Sequence, residues 1–427
     1  MAESATARGG FALHLNRRLF YGWVMLAVGA LAIFASGPGQ SFIFSVFVTT
    51  LSEDLALSRT AVSSAYATAT LIAAFGLPYV GRLIDRLGPR RVMAGVGLLL
   101  GLACLGFSRV QGLLSLSLAF AALRFLGQGS LMLTANNLVA QWFSRRRGLA
   151  MSLLGVGFSL GMAVFPPLAQ WLGELGGWRG AWLWLGVITW LLVIPAALTL
   201  IHDRPEDLRL RPDGEAGDAG QRADAAAELG LSLKQAMRTP AFWIIGLAIA
   251  TLSMLVTGLF FHQIAIFDDR GLDPAVVAVV FPVSAVSMVV GMPLFGHLLD
   301  RLPTRPVFAG ALLLMTLAHL TMVAVDDLAT AVLFGVVFGL SNAGIQSNLS
   351  YIWPRFFGRK YLGSIQGAAH MMGVLGASLG PLPLGAAHDY LGSYRLTLLG
   401  LAVLPIVWTL LLVFAPPPRL EDATRSH

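Results

Sequence analysis

Arg124 places a permanent charge about twelve residues from either end of an apolar run, close to the middle of whatever that run crosses. Holding an unpaired arginine at such a depth costs about 2.5–3.5 kcal/mol, so the side chain has to face protein and find a partner. None of the 22 acidic residues lies inside an apolar run, which leaves a backbone carbonyl, a neutral polar side chain or an anionic ligand. Two readings stay open. Either Arg124 contacts an anionic substrate or serves a proton path, or it ties its helix to backbone carbonyls of a first helix broken at Gly37-Pro38-Gly39.

His262, His319 and His370 are the other titratable groups within apolar runs, and with no carboxylate there, proton coupling would need one of them or Asp85. Gln40, Asn342, Gln346 and Gln366 can add neutral hydrogen bonds to a ligand, and amides between apolar helices serve packing equally well. The candidate substrate-binding set is therefore Arg124, Gln40, His262, Asn342, Gln346 and His370. Nothing supports catalysis or a cofactor: there is no Gly-Lys-Ser phosphate loop, no histidine pair at metal-ligand spacing, and one cysteine, Cys104. The chain is not expected to be an enzyme.

These residues need long apolar elements to position them, and the composition supplies them. Of 427 residues 56% are hydrophobic and 12% charged, and the mean hydropathy is +0.74. The charged fraction is about half that of soluble domains, which excludes a water-soluble enzyme, a disordered regulator and a disulfide-stapled secreted domain. With about 20 apolar residues per span, the runs predict helices near 19–52, 61–81, 92–108, 113–135, 149–172 and 179–201. A polar linker follows at 202–239, and six further runs lie near 240–267, 275–298, 306–325, 328–351, 361–387 and 396–415. The expectation is an all-α membrane protein of twelve transmembrane helices, with bundles at 19–201 and 240–415 and polar tails at 1–18 and 416–427.

The net charge of +7 would suggest nucleic acid in a soluble chain, yet the basic residues sit in short loops. If the N-terminus is cytoplasmic, 23 Lys and Arg fall on the cytoplasmic side and 5 outside, the bias expected of an inner-membrane protein with both termini in the cytoplasm. Nucleic acid is not an expected partner.

A shift of 215 positions superposes Gly76, Pro78, Gly81, Leu83, Asp85, Arg86 and Arg90 on Gly291, Pro293, Gly296, Leu298, Asp300, Arg301 and Arg305. Further on, Gly129, Gly161 and Pro166 fall on Gly344, Gly376 and Pro381. Two related six-helix halves that start on the same side imply parallel repeats, with a transport site expected between them.

The loop after the second helix reads Gly81-Arg82-Leu83-Ile84-Asp85-Arg86-Leu87-Gly88-Pro89-Arg90-Arg91. Its glycines allow a tight turn, and Asp85 can pair with an arginine or cap a helix N-terminus, making a charge latch. Gly81, Asp85, Arg86, Gly88, Arg90, Asp300 and Arg301 are thus candidate gating residues, the bland alternative being arginines that only enforce topology. The segment resembles the signature of the major facilitator superfamily. Arg124-Phe125-Leu126-Gly127-Gln128-Gly129 is similar to a second motif of that family, and Tyr21-Gly22-Trp23, Trp142–Ala150, Phe357–Ile365 and Gly380-Pro381 look like its monocarboxylate and oxalate/formate branch. Two departures stand out: no charged residue lies between Ala275 and Phe295, where that branch usually carries an arginine, and Ala163-Val164-Phe165-Pro166-Pro167 replaces the glycines of the antiporter motif.

The resemblance implies a secondary transporter working by alternating access, with His319 on a peripheral helix. Together with Arg124, it points to a small organic anion, a carboxylate, moved by exchange or with protons. Export of amphipathic compounds is the alternative, favoured by the neutral eighth helix, and a membrane sensor or scaffold is the third reading. The lipid bilayer and a small molecule are the expected partners.

Overall fold

The computed structural model describes residues 20–143, 146–208, 210, 211, 213, 230–273, 275–358 and 362–414. The expected tails at 1–18 and 416–427, the linker between 214 and 229, and the side chain of Asp85 lie outside the described residues.

Among the described residues twelve long helices, some of them broken, follow one another. The first, α1, is built from Gly22–Ala35, a 3-10 turn at Gly37–Gly39, Ser41–Ser45 and Val48–Asp54. Pro38 has no N–H to continue an α-helix, and Gln40 after the turn is extended (φ −93°, ψ 151°), so the apolar run breaks where its Gly-Pro-Gly lies. α2 is Arg59–Leu87 and α3 is Pro89–Phe107. α4 runs as Leu113–Leu123, a π-helical stretch Arg124–Leu131, and Met132–Trp142. Arg147–Leu154 and the long element Val156–Leu200 form α5 and α6, divided at Gly176 and Gly177. Gly177 takes φ +67°, a conformation that favours glycine and makes the reversal possible.

α7 is Pro240–Asp268, α8 Ala275–Arg301, α9 Thr304–Val323 and α10 Leu328–Phe357. α11 is interrupted at Gly380, giving Leu362–Leu379 and Pro381–Leu391, and α12 is Arg395–Leu411. Nine stretches among the described residues are long and apolar enough to cross a membrane, and one of them, Leu149–Leu200, contains both α5 and α6. The broken α1 and α11 supply the remaining crossings in shorter pieces. Several helices outrun their apolar cores: α2 continues to Leu87 and α10 to Phe357, because polar residues at a membrane surface can complete a helix whose centre is already formed. The chain is a multi-pass membrane protein.

The chain falls into two compact units, Met1–Leu57 with Thr68–Gly217, and Ser58–Ala67 with Asp218–His427. The first turns of α2 therefore belong with the second unit. Phe44, Phe107, Phe120 and Trp182 form an aromatic cluster in the first unit, with ring centroids 4.1 Å apart for Phe107 and Trp182. On α3 the thiol residue Cys104 is buried, its Cβ facing Gly186 of α6 where no side chain would fit comfortably. In the second unit Phe260 packs on Phe338 at 4.8 Å.

Packing repeats as the sequence does. Gly76 of α2 leaves room for the Phe125 ring of α4, and 215 positions on Gly291 of α8 lies against Leu340 of α10. Gly161 of α5 meets the Phe34 carbonyl of α1, and Gly376 of α11 meets that of Ala250 on α7. Each unit thus uses a small residue at the same register to bring two backbones close.

Candidate functional site

The break in α1 sits directly against the π-helical stretch of α4. A Cβ on Gly39 would lie 2.5 Å from the Leu123 carbonyl and 2.8 Å from the Gly127 Cα, so only glycines permit this crossing. Arg124 starts the π stretch, is 2% exposed, and donates from Nη1 to the Gly39 carbonyl at 2.9 Å and from Nε to Thr70 Oγ1 of α2 at 3.1 Å. Ser130 Oγ donates to the Phe125 carbonyl five residues back, at 2.7 Å, as the wider π turn allows. The guanidinium satisfies a carbonyl that the 3-10 turn has released from α-helical bonding, and a fixed positive charge is held in the interior beside it. Next to Gly39, Gln40 is buried and donates from Nε2 to Ser36 Oγ at 3.0 Å and to Met132 Sδ at 3.2 Å. Arg124 and Gln40 therefore share one joint.

His262 lies in the second unit and is fully buried. Its Nε2 is 3.2 Å from Ser63 Oγ and 3.0 Å from the Pro381 carbonyl, while Nδ1 has no hydrogen-bond partner among the described residues. Asn342 is buried and donates to the Phe338 carbonyl of its own helix at 2.8 Å. Gln346 and His370 are exposed, as is Gln366. His319 is buried, with Nδ1 on the Met315 carbonyl at 3.0 Å.

A charged cluster that sequence inspection reads only as loop charges surrounds the start of α2. Arg59 is largely buried and binds Asp269 through both terminal nitrogens, at 3.1 and 3.4 Å, and donates to the Tyr394 hydroxyl. Asp389 accepts from the backbone N–H of Arg59 at 3.3 Å and of Thr60 at 2.7 Å, capping α2. His388 lies 3.6 Å from Asp269 and 3.4 Å from Asp389. Neither Asp269 nor Asp389 stands at a spacing from Arg59 that a motif would reveal; only the folded chain unites them.

In the motif loop the turn is made at Gly88, where φ is +82°, whereas Gly81 lies within α2 with open space around its Cα. The N-terminus of α3 is capped by Asp203, beyond the end of α6. Its Oδ1 accepts from the Arg90 N–H at 2.8 Å, and a Cβ at Gly88 would strike the carboxylate. Burial, followed by the nearby charge of Asp207, raises the pKa of Asp203 above the ordinary carboxylate range, with the Arg91 charge opposing. Arg90 also donates from its side chain to the Leu198 carbonyl at 3.1 Å. Arg86 and Arg301 are exposed, and Asp300 accepts from the Tyr351 hydroxyl at 3.2 Å. The sequence signal for Asp203 was faint: one acid among eight in a polar linker.

The profile of the Major Facilitator Superfamily matches residues 29–267 and 245–426. Among curated proteins the chain is similar to human monocarboxylate transporter 11, 31% identical over 89% of this chain and 79% of the relative. It is also similar to bovine monocarboxylate transporter 13, 28% identical over 88% and 84%. The oxalate:formate antiporter of Oxalobacter formigenes is 24% identical over 86% and 85%. Among solved structures, a bacterial homologue of the human lysosomal transporter Spinster, in an inward-facing and unoccupied conformation, aligns with a TM-score of 0.65 at 14% identity, over 95% of this chain and 98% of that one.

Proposed function

Because the chain belongs to the Major Facilitator Superfamily, we propose that it is a secondary transporter of a small organic anion, a carboxylate, moved by alternating access in exchange or together with protons. The observation that carries this reading is Arg124: a permanently charged guanidinium, held 2% exposed at a broken helix where it donates to the Gly39 carbonyl, in a chain whose apolar runs contain no acid. A site with fixed positive charge in a low-dielectric setting selects for anions and rejects cations. The substrates that the relatives are named for, monocarboxylates and oxalate with formate, agree with that sign.

The test is counterflow of labelled formate, oxalate and lactate in proteoliposomes, with and without a pH gradient. Carboxylate counterflow that disappears in Arg124→Gln is expected, and no flux of any carboxylate would overturn the assignment. A second reading, export of amphipathic compounds, is favoured by the uncharged stretch of α8 from Ala275 to Phe295; altered tolerance of hydrophobic cations in a deletion strain, with carboxylate use intact, would select it.

The proposed location is the inner membrane with both termini cytoplasmic, supported by the 23 to 5 distribution of Lys and Arg. A reporter fused after Ile201 should be active only as a cytoplasmic fusion. Periplasmic activity would reverse the topology.

A further inference from the structure

A cavity of about 580 Å³ opens at the start of α9, lined by Pro303, Thr304, Arg305, Pro306, Arg355 and Phe356. Two of those six residues carry guanidinium groups, and among the described residues neither is paired with a carboxylate. Arg355 is held in place, donating from Nη1 to Thr304 Oγ1 at 3.1 Å and lying 5.4 Å from the centre of the Tyr351 ring. The nearby acid, Asp300, is engaged by the Tyr351 hydroxyl. The cavity is therefore open and mostly apolar, with two arginines among the residues that border it.

The internal repeat shows what kind of group belongs there. The shift of 215 carries Gly88 and Arg90 onto Pro303 and Arg305. At the first copy the carboxylate of Asp203 fills the position, bound to the Arg90 N–H at 2.8 Å. The same shift carries Asp203 onto Pro418, so the second copy has no acid in that register. Its N-cap residue, Pro303, makes no side-chain cap among the described residues, and the cavity opens beside this N-terminus. Exposed leucines lie close by in the chain, Leu302 just before Pro303 and Leu313 and Leu317 further along α9, as a surface facing acyl chains would have.

We propose that this cavity binds a phosphate-class anion, namely the headgroup phosphate of an anionic phospholipid of the leaflet it faces. Two arginines offer planar, charge-assisted donors to phosphate oxygens, and the exposed leucines accept the chains. This site is separate from the Arg124 joint and does not depend on the substrate assigned above.

The experiment is thermal unfolding and native mass spectrometry of the purified full-length protein in detergent with phosphatidylglycerol, phosphatidylcholine or inorganic phosphate added. Phosphatidylglycerol should raise the Tm of the natural protein and be retained in the gas phase, whereas phosphatidylcholine, with no net charge, should do neither. Arg305→Gln/Arg355→Gln should weaken phosphatidylglycerol binding at least tenfold, while Arg204→Gln/Arg211→Gln, which removes the same charge from exposed positions outside the cavity, should leave it unchanged. If the double variant does not fold, Arg305→Gln alone should give a smaller loss in the same direction. Stabilisation by inorganic phosphate as strong as by the lipid would assign the site to the free anion instead of the headgroup. Equal retention of phosphatidylglycerol by the cavity variants and the control pair overturns the proposal.

Discussion

Where α4 of the first unit carries Arg124, α10 of the second carries Gly339 at the same repeat position, and the two helix crossings are built in opposite ways. In the first unit α1 unwinds at Gly37–Gly39 and the guanidinium takes up the freed carbonyl. In the second, α7 runs unbroken from Pro240 to Asp268, Met254 and Leu255 stand where Gly39 and Gln40 would be, and Gly339 is pressed onto the Ser284 carbonyl of α8. The polar chemistry of that helix lies further along, at His262. The repeat has kept a backbone frame and the places where small residues must sit. It has not kept the chemistry, since the position of Arg124 in one half is a glycine in the other.

The sharpest way to break this comparison is steric. Gly39→Val should cost about 3 kcal/mol or more, because its Cβ meets backbone atoms that cannot move aside, and loss of monodisperse protein on size exclusion is the expected readout. Gly339→Ala should cost about 1–3 kcal/mol for the same reason, against the Ser284 carbonyl, so each unit fails at its own crossing. A fully stable Gly39→Val protein would mean that the α1 break does not pack on α4 as described.

Arg124→Gln comes next, with an expected loss of about 1.5–3 kcal/mol from removing charged donors to Gly39 and Thr70. Arg124→Lys should fall between, keeping the charge without the fork that reaches both partners. If thermal melts of the three proteins coincide, the charged joint contributes nothing to the first unit.

Asp203→Ala should cost about 1 kcal/mol through loss of the α3 cap. Its pH dependence has a definite sign. The folded pKa is raised above 3.8, chiefly by burial, so the folded chain holds this proton more tightly than the unfolded one. That contribution is complete below the unfolded value and is lost as pH rises through the folded value. The Tm advantage of the natural protein over Asp203→Asn should therefore shrink from acid pH upward; an advantage that grows instead contradicts the assignment. Ser63→Ala should have the smallest effect, about 0.5 kcal/mol, since His262 keeps the Pro381 carbonyl.

Much of the frame is legible from residues alone. Apolar runs locate the helices, although α2, α4 and α10 continue past their predicted ends; Gly-Pro-Gly marks the α1 break, and an arginine inside an apolar run points to a joint or an anion. What is not legible depends on distance along the chain. Asp203 reaches α3 from 113 positions beyond Arg90, and Arg59 finds Asp269 after 210; neither pairing has a local signature. The π turn is hidden for another reason. Arg124–Leu131 contains the same residue types that an ordinary helix tolerates, and its wider winding coincides with the close pass of Gly39 over Gly127, a tertiary contact.

The burial of Cys104 against α6 has a practical side. It is the sole thiol of the chain, and a water-borne maleimide has no route to it while α3 and α6 stay packed. Cysteines introduced one at a time can then be tagged on an otherwise natural background, and any dye that does reach position 104 becomes a clock for the moment the first bundle comes apart.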